Sequence, residues 1–312
     1  MPKGDKFVDL TRYLESCNKD EVVLRIEDVA KIVGGFSPYL YKYRVAWNDN
    51  HGGSFSLGWL SAGYSAQLNA DFTAVTFTKN TFISDISNTY KPKLSIDKVV
   101  AAIEKYHGAI DEEKYTRFRS WEHCYAAFQL NRNNPNNIEL LCLHLAWYLA
   151  SWGMLRNSFL FGHDYLIHKP LVCELTSGKF ESLFNTTQTS ETISLTLKAS
   201  AAIAKAYQGN SVTDTLITKI LLGVFGSAPA YDRYFKDTAT KYNVCSRQWN
   251  EKSLNSLWCY YEQHHDVFEK LRHEISPKGF LYTPMKLMDM CLWQIGYDES
   301  LKDRKKKDVA KK

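Results

Sequence analysis

From residue 81 to about residue 300 one pattern returns in segment after segment: apolar residues at i, i+3 and i+4. SIDKVVAAIEKYHG, SWEHCYAAFQLN, NIELLCLHLAWYLASWGML, ETISLTLKASAAIAKAYQG, TDTLITKILLGVFG, AYDRYFKDTATKY, EKSLNSLWCYYEQHHDVFEKL and TPMKLMDMCLWQIGY all carry it. Most are bounded by Ser, Thr, Asn, Gly or Pro, the residues that start and stop helices. No repeat of constant period links them, which disfavours a solenoid. The pattern predicts a compact all-helical domain over residues 81–312.

Residues 1–80 read differently. FVDLTRYLESC is a short amphipathic helix, and EVVLRIEDVAKIVGG passes from a strand to a helix closed by glycines. The stretch SLGWLSAGYSAQLNADFTAVTFTK ends in an alternation of Phe72, Ala74, Val75 and Phe77 that predicts a strand. This is a small α+β module on a mainly α chain. It resembles an N-terminal module of bacterial proteins that has no assigned activity. Its cluster of Lys42, Arg44, Trp47, Asn48 and His51 reads either as a nucleic-acid contact or as a surface loop hung from a buried Trp47.

Charge and cysteine content narrow the partners. A net charge of +5 over 312 residues is too small for a polybasic coat, so any nucleic-acid binding must come from a local patch. The basic end LKDRKKKDVAKK can touch phosphates non-specifically. Cys17, Cys124, Cys142, Cys173, Cys245, Cys259 and Cys291 form no Cys-x-x-Cys pair, and their odd number argues against a disulfide framework. They read as reduced thiols. No run of eighteen apolar residues and no apolar leader occur, which predicts no membrane span and a cytoplasmic protein. His264, His265 and Asp266 are adjacent and point apart, and His163 and His168 need a third ligand, so no metal and no cofactor are expected.

One stretch carries chemistry: AYQGNSVTDTLITKILLGVFGSAPAYDRYFKDTATKYNV. A turn at Gly209, Asn210 and Ser211 leads into a helix predicted from Thr213 to Gly226. Pro229 then precedes Asp232, and Arg233, Lys236 and Lys241 follow on the next helix. This order resembles the core of the helix-hairpin-helix superfamily of DNA glycosylases: a helix, a glycine-bearing hairpin, an apolar helix, then Pro, a catalytic Asp and a basic helix. Two departures stand out. The hairpin has one Gly where the family has two, and Thr213 and Asp214 stand where lyase-competent members carry a lysine.

The resemblance implies that Asp232 is catalytic. Breaking an N-glycosidic bond develops positive charge on the deoxyribose, which a fixed carboxylate can stabilise while orienting a water. Arg233, Lys236 and Lys241, with the backbone of Gly209, Asn210 and Ser211, would hold phosphates. A glycosylase also needs a pocket for the extruded base. In HLAWYLASWGMLRNSFLF, a helix puts His144, Trp147 or Tyr148, Ser151, Trp152 and Leu155 on neighbouring faces. Trp152 and Tyr231 would sandwich the base and Arg156 and Asn157 would read its edge, with Asp232 or Asp289 as the partner of Arg156. The plainer readings are a helix cap for Asp232 and core packing for the aromatics.

The expected function is a monofunctional DNA glycosylase acting on a modified base in double-stranded DNA and leaving an abasic site, with no obligate protein partner. Within the family it looks similar to phage-defence glycosylases that remove glucosylated hydroxymethylcytosine. A non-catalytic nucleic-acid-binding protein on the same scaffold and a helical interaction protein are the alternatives.

Overall fold

A computed structural model describes residues 7–17, 19–42, 47, 55–60, 62, 64–79, 91–185 and 190–309. The chain is mainly helical and divides into two compact units, residues 1–89 and 90–312.

In the first unit, α1 (Val8–Cys17), β1 (Glu21–Arg25), α2 (Ile26–Ile32), α3 (Pro38–Lys42), α4 (Leu57–Leu60), β2 (Tyr64–Leu68) and β3 (Ala74–Lys79) follow in order. The sheet has the order β1-β3-β2, antiparallel throughout, with Val22 opposite Phe77 and Leu24 opposite Val75. Val75 and Phe77 turn into the core as their alternation requires. Phe72 packs against the same core only in part and lies outside the strand. It sits at φ 60° in the β2–β3 turn, where the Asn69 side chain accepts the Thr73 and Ala74 N–H groups at 2.9 and 3.1 Å. Trp47 is buried, stacks on Trp59 at 6.4 Å and donates its indole N–H to the Leu40 carbonyl at 2.9 Å. A side chain so committed is core. Arg44, Asn48 and His51 lie outside the described residues.

The second unit contains α5 (Ile96–Glu112), α6 (Arg119–Asn131), α7 (Ile138–Ser151), α8 (Lys169–Leu175), α9 (Ser190–Ala206), α10 (Asp214–Val224), α11 (Arg233–Lys241), α12 (Glu251–Gln263), α13 (His265–Ile275) and α14 (Pro284–Val309). Two helices are apolar nearly all round and therefore central. Leu216 to Val224 of α10 are all buried, as is every residue of α14 from Met285 to Ile295. Around α14 pack α5, α11, α12 and α13, while α10 meets α6, α7 and α9. Two glycines permit the closest approaches. A Cβ on Gly296 of α14 would stand 2.3 Å from the Tyr234 carbonyl oxygen, and one on Gly223 of α10 would stand 2.6 Å from the Tyr148 ring.

Three helices end earlier than their periodicity suggests. Trp152 caps α7 and Gly153 follows at φ 75°, so Arg156 and Asn157 lie in turns beyond the helix. The α10 helix stops at Val224, with Gly226 at φ 65°. His264, at φ −124° and ψ 26°, breaks the long EKSLNSLWCYYEQHHDVFEKL segment into α12 and α13.

Candidate functional site

Residues 226–231 run without regular structure and are all buried. Buried backbone outside helices and sheets must find its hydrogen bonds among side chains. Helices α10 and α14, with Thr283 just before α14, supply them. The Thr283 hydroxyl donates to the Gly226 carbonyl at 2.7 Å, and the Asp289 carboxylate accepts the Ala230 N–H at 2.9 Å. From the other side, Thr215 donates to the Tyr231 carbonyl and Thr218 accepts the Tyr231 N–H, both at 2.8 Å.

That clamped loop delivers Asp232. One carboxylate oxygen accepts the Phe235 N–H at 3.1 Å and caps α11, while the other lies 3.5 Å from the Lys219 ammonium. Capping and pairing thus use different oxygens, and the cap sets the direction of the free one. Lys219 sits mid-helix in α10 among apolar neighbours, its side chain 4% exposed against 18% for Asp232. Burying an ammonium costs several kcal/mol unless it is paired, and Lys219 has both Asp232 and the Trp152 ring, at 5.0 Å.

A second buried pair faces the same space. The Lys286 ammonium lies 3.3 Å from an Asp289 oxygen and donates to the Tyr106 hydroxyl at 3.1 Å, with the rings of Tyr106 and Trp121 4.8 and 5.0 Å away. Burial pushes Lys286 down and Asp289 up, against the opposing pull that each exerts on the other.

Between these pairs is a cavity lined by Trp121, Trp152, Trp293, Tyr148, Leu222, Ala230, Lys219, Lys286 and Asp289. It is narrow, with an empty volume of about 220 Å³ that includes the part open to solvent. The Arg117 guanidinium, itself exposed, lies 5.1 Å from the Trp152 ring and 6.0 Å from that of Trp293. Asp232 reaches the cavity through Lys219.

The residues singled out from sequence do not stay together. Asp232 and Trp152 come together around Lys219. Tyr231 turns the other way, packing against Phe235 at 4.7 Å and Trp249 at 5.3 Å, with its hydroxyl 3.6 Å from the Cys245 sulfur. It is a core residue under the loop because its neighbour Ala230 takes the inner face. Arg156 and Asn157 are exposed in the turns after α7. The cations beside Asp232 and Asp289 are Lys219 and Lys286, and neither is Arg156.

Gly209, at φ 92°, Asn210 and Ser211 form an exposed turn before α10, whose first turn is capped by Thr213. On α11, Arg233 is exposed with its guanidinium 4.7 Å from the Tyr234 ring, and Lys236 is half-buried. Lys241 is exposed but paired with Glu299 at 2.8 Å. Lys98 and Tyr242 also bond Glu299, and its partners hold that carboxyl at about 2 despite its partial burial.

Lys219, Lys286, Asp289 in this role, Trp121, Trp293 and, beside the cavity, Arg117 are what the sequence reading missed; it had named Asp289 only as a candidate partner of Arg156. The signal was present for the first three. LITKILLGV and MKLMDMCLW leave no solvent-facing stripe for a charge. Although Thr213 and Asp214 occupy the place where the resemblance puts a lysine, Lys219 stands about one and a half turns further along the helix. An amine against a carboxylate can pass its proton across and then attack an electrophilic carbon, and the carboxylate can stabilise a cation. Among the described residues no three metal-ligating side chains converge. No known family, curated protein or solved structure matches this chain.

Proposed function

We propose that the helical unit is a DNA glycosylase that releases a modified base and leaves an abasic site. The observation that carries this reading is the buried Lys219–Asp232 pair, 3.5 Å apart, beside a cavity walled by three tryptophans. Asp232 stabilises the positive charge that grows on the deoxyribose as the base departs. Lys219 adds a possibility absent from the monofunctional expectation. In this route Asp232 acts as the base rather than the charge stabiliser: Lys219 passes it a proton, the amine attacks C1′ as the C1′–base bond breaks, and the leaving base takes up the proton that the attacking nitrogen then releases. The narrow cavity must widen to admit a base, and Trp152 and Trp293 are the walls that would stack on it. The substrate class is a damaged or modified base in double-stranded DNA, with glucosylated hydroxymethylcytosine of phage DNA the first to try. Such work belongs in the cytoplasm.

The test uses end-labelled duplexes carrying single modified bases, glucosylated hydroxymethylcytosine among them. Wild type should yield strand scission after alkali, and borohydride should trap a covalent complex that Lys219→Met does not form. Asp232→Asn should bind DNA while losing at least about a hundredfold in single-turnover release. Asn caps helices about as well as Asp, so a pure capping role predicts near-equal rates. Tight binding with no release from any duplex would mean a non-catalytic DNA-binding protein, and neither binding nor release would leave a helical interaction protein.

A further inference from the structure

Lys286 and Asp289 ask for an explanation that stability does not supply. Both lie on α14 where every neighbouring position is buried, and a buried pair of this kind is often replaceable by apolar residues without loss. Asp289 does something that an apolar residue would not. It accepts the N–H of Ala230, two residues before Asp232, in a loop with no helix or sheet of its own.

We infer that Lys286 and Asp289 are a positioning pair: Asp289 fixes the Ala230 amide and with it the turn that aims Asp232 at Lys219, and Lys286 holds Asp289 in place. The inference deepens the glycosylase reading and rests on it for its catalytic consequence. The chain of contacts is continuous. Tyr106 bonds Lys286, Lys286 pairs with Asp289, and Asp289 bonds the Ala230 N–H. The Asp232 N–H then donates to the Ala230 carbonyl at 2.8 Å, so the two ends of the same short turn are tied together. Thr215 and Thr218 secure Tyr231 from α10, which leaves Asp289 as the tie from α14 closest to Asp232. A misplacement of about 1 Å at a reacting group is enough to cost about a hundredfold in rate, so a tie at this point acts on turnover more than on DNA affinity.

The test compares two double variants that both remove the buried charges. Lys286→Met with Asp289→Asn keeps an oxygen to accept the Ala230 N–H, whereas Lys286→Met with Asp289→Leu does not. The readout is amide hydrogen exchange at Ala230, Tyr231 and Phe235, with base release measured beside it. In the Leu variant, exchange at Ala230 and at Phe235, whose N–H caps onto Asp232, should rise at least about tenfold over the Asn variant, the factor that one lost buried hydrogen bond carries. Tyr231, tied to Thr218, should stay protected. Release should be at least about tenfold slower in the Leu variant than in the Asn variant. Equal exchange at Ala230 and Phe235 in the two variants would overturn the positioning role, as would equal turnover at matched stability. If wild type releases no base, the glycosylase reading fails by itself while the exchange comparison still decides the positioning.

Discussion

Gly296→Ala adds one methyl group where α14 meets α11. That methyl would stand 2.3 Å from the Tyr234 carbonyl oxygen, 2.6 Å from the Thr238 hydroxyl and 2.9 Å from the Tyr234 carbonyl carbon. The oxygen is therefore about 1.1 Å inside the 3.4 Å at which ordinary contact begins. It cannot swing aside, because it belongs to the helix backbone and accepts the Thr238 hydroxyl at 3.0 Å. Relief must come from α11 moving as a body, and α11 begins at the residue after Asp232. Overpacking of this kind costs about 1–3 kcal/mol. The exchange of Gly for Ala inside a helix returns about 1 kcal/mol. A net loss of up to about 2 kcal/mol lowers the Tm by up to about 8 °C for a unit of this size. Base release, if the site is catalytic, should fall more steeply than stability, because the displacement lands on the Asp232–Lys219 geometry. Thermal and urea unfolding read the first effect and single-turnover release the second. Gly108→Ala is the control: it lies on α5 with nothing within 4 Å of the added carbon, and should gain up to about 1 kcal/mol. A Gly296→Ala protein as stable as the Gly108→Ala protein would refute the close approach of the two helices.

Two further perturbations probe other parts of the unit. Burial holds His168 at about 4, below its ordinary 6.5, with its ring bonded to the Tyr207 hydroxyl. A depressed folded value means that the unfolded state takes up the proton first, so this residue's contribution is intact above pH 6.5. It is lost as pH falls from there to about 4, by up to about 3 kcal/mol. Urea unfolding across that window should show the loss in wild type and a flatter profile in His168→Gln, and identical slopes would rule the residue out as its source. Arg117→Ala removes the exposed cation over the Trp152 and Trp293 rings. If it meets a phosphate at the cavity mouth, affinity should weaken alike for all DNA sequences, and the slope of log affinity against log salt should drop by about one. An unchanged slope would return Arg117 to a purely aromatic contact.

Most of the helices were legible because burial of one face writes a 3.6-residue period into the sequence. Their ends were less so. Gly153 and Gly226 adopt positive φ and stop α7 and α10, yet a glycine inside an apolar run reads equally well as a tolerated interior residue. Trp152 stood out as a pocket candidate and does line the cavity, while Tyr231, two positions from Pro229, faces the opposite side. Only the path of the loop decides which of two successive residues points inward. That path is set by Thr215, Thr218, Thr283 and Asp289, whose partners lie between 13 and 59 residues away in the chain. No local pattern encodes such pairings.

Lys219 and Lys286 show how a site of this kind is nonetheless announced. On α10 the positions three and four residues either side of Lys219 are Thr215, Leu216, Leu222 and Gly223, and none offers a counter-charge. The same holds for Lys286, apart from Asp289 three residues on. A lysine in the middle of an apolar stripe can escape to solvent by extending its stem, but a lysine on a helix apolar all round has nowhere to extend. It must have a buried anion and must repay the cost of dehydration. Asp232 is an economical choice for that anion, because helix capping already immobilises one of its oxygens and leaves the other for Lys219. Asp289 meets the need of Lys286 in a parallel way, with one oxygen on the Ala230 amide and the other on the amine. In both pairs the backbone, rather than a second side chain, orients the carboxylate. Lys219, Lys286 and Asp289 thereby line one cavity in an otherwise apolar bundle, with Asp232 paired to Lys219 beside it, where an effective dielectric below that of water strengthens both ion pairs.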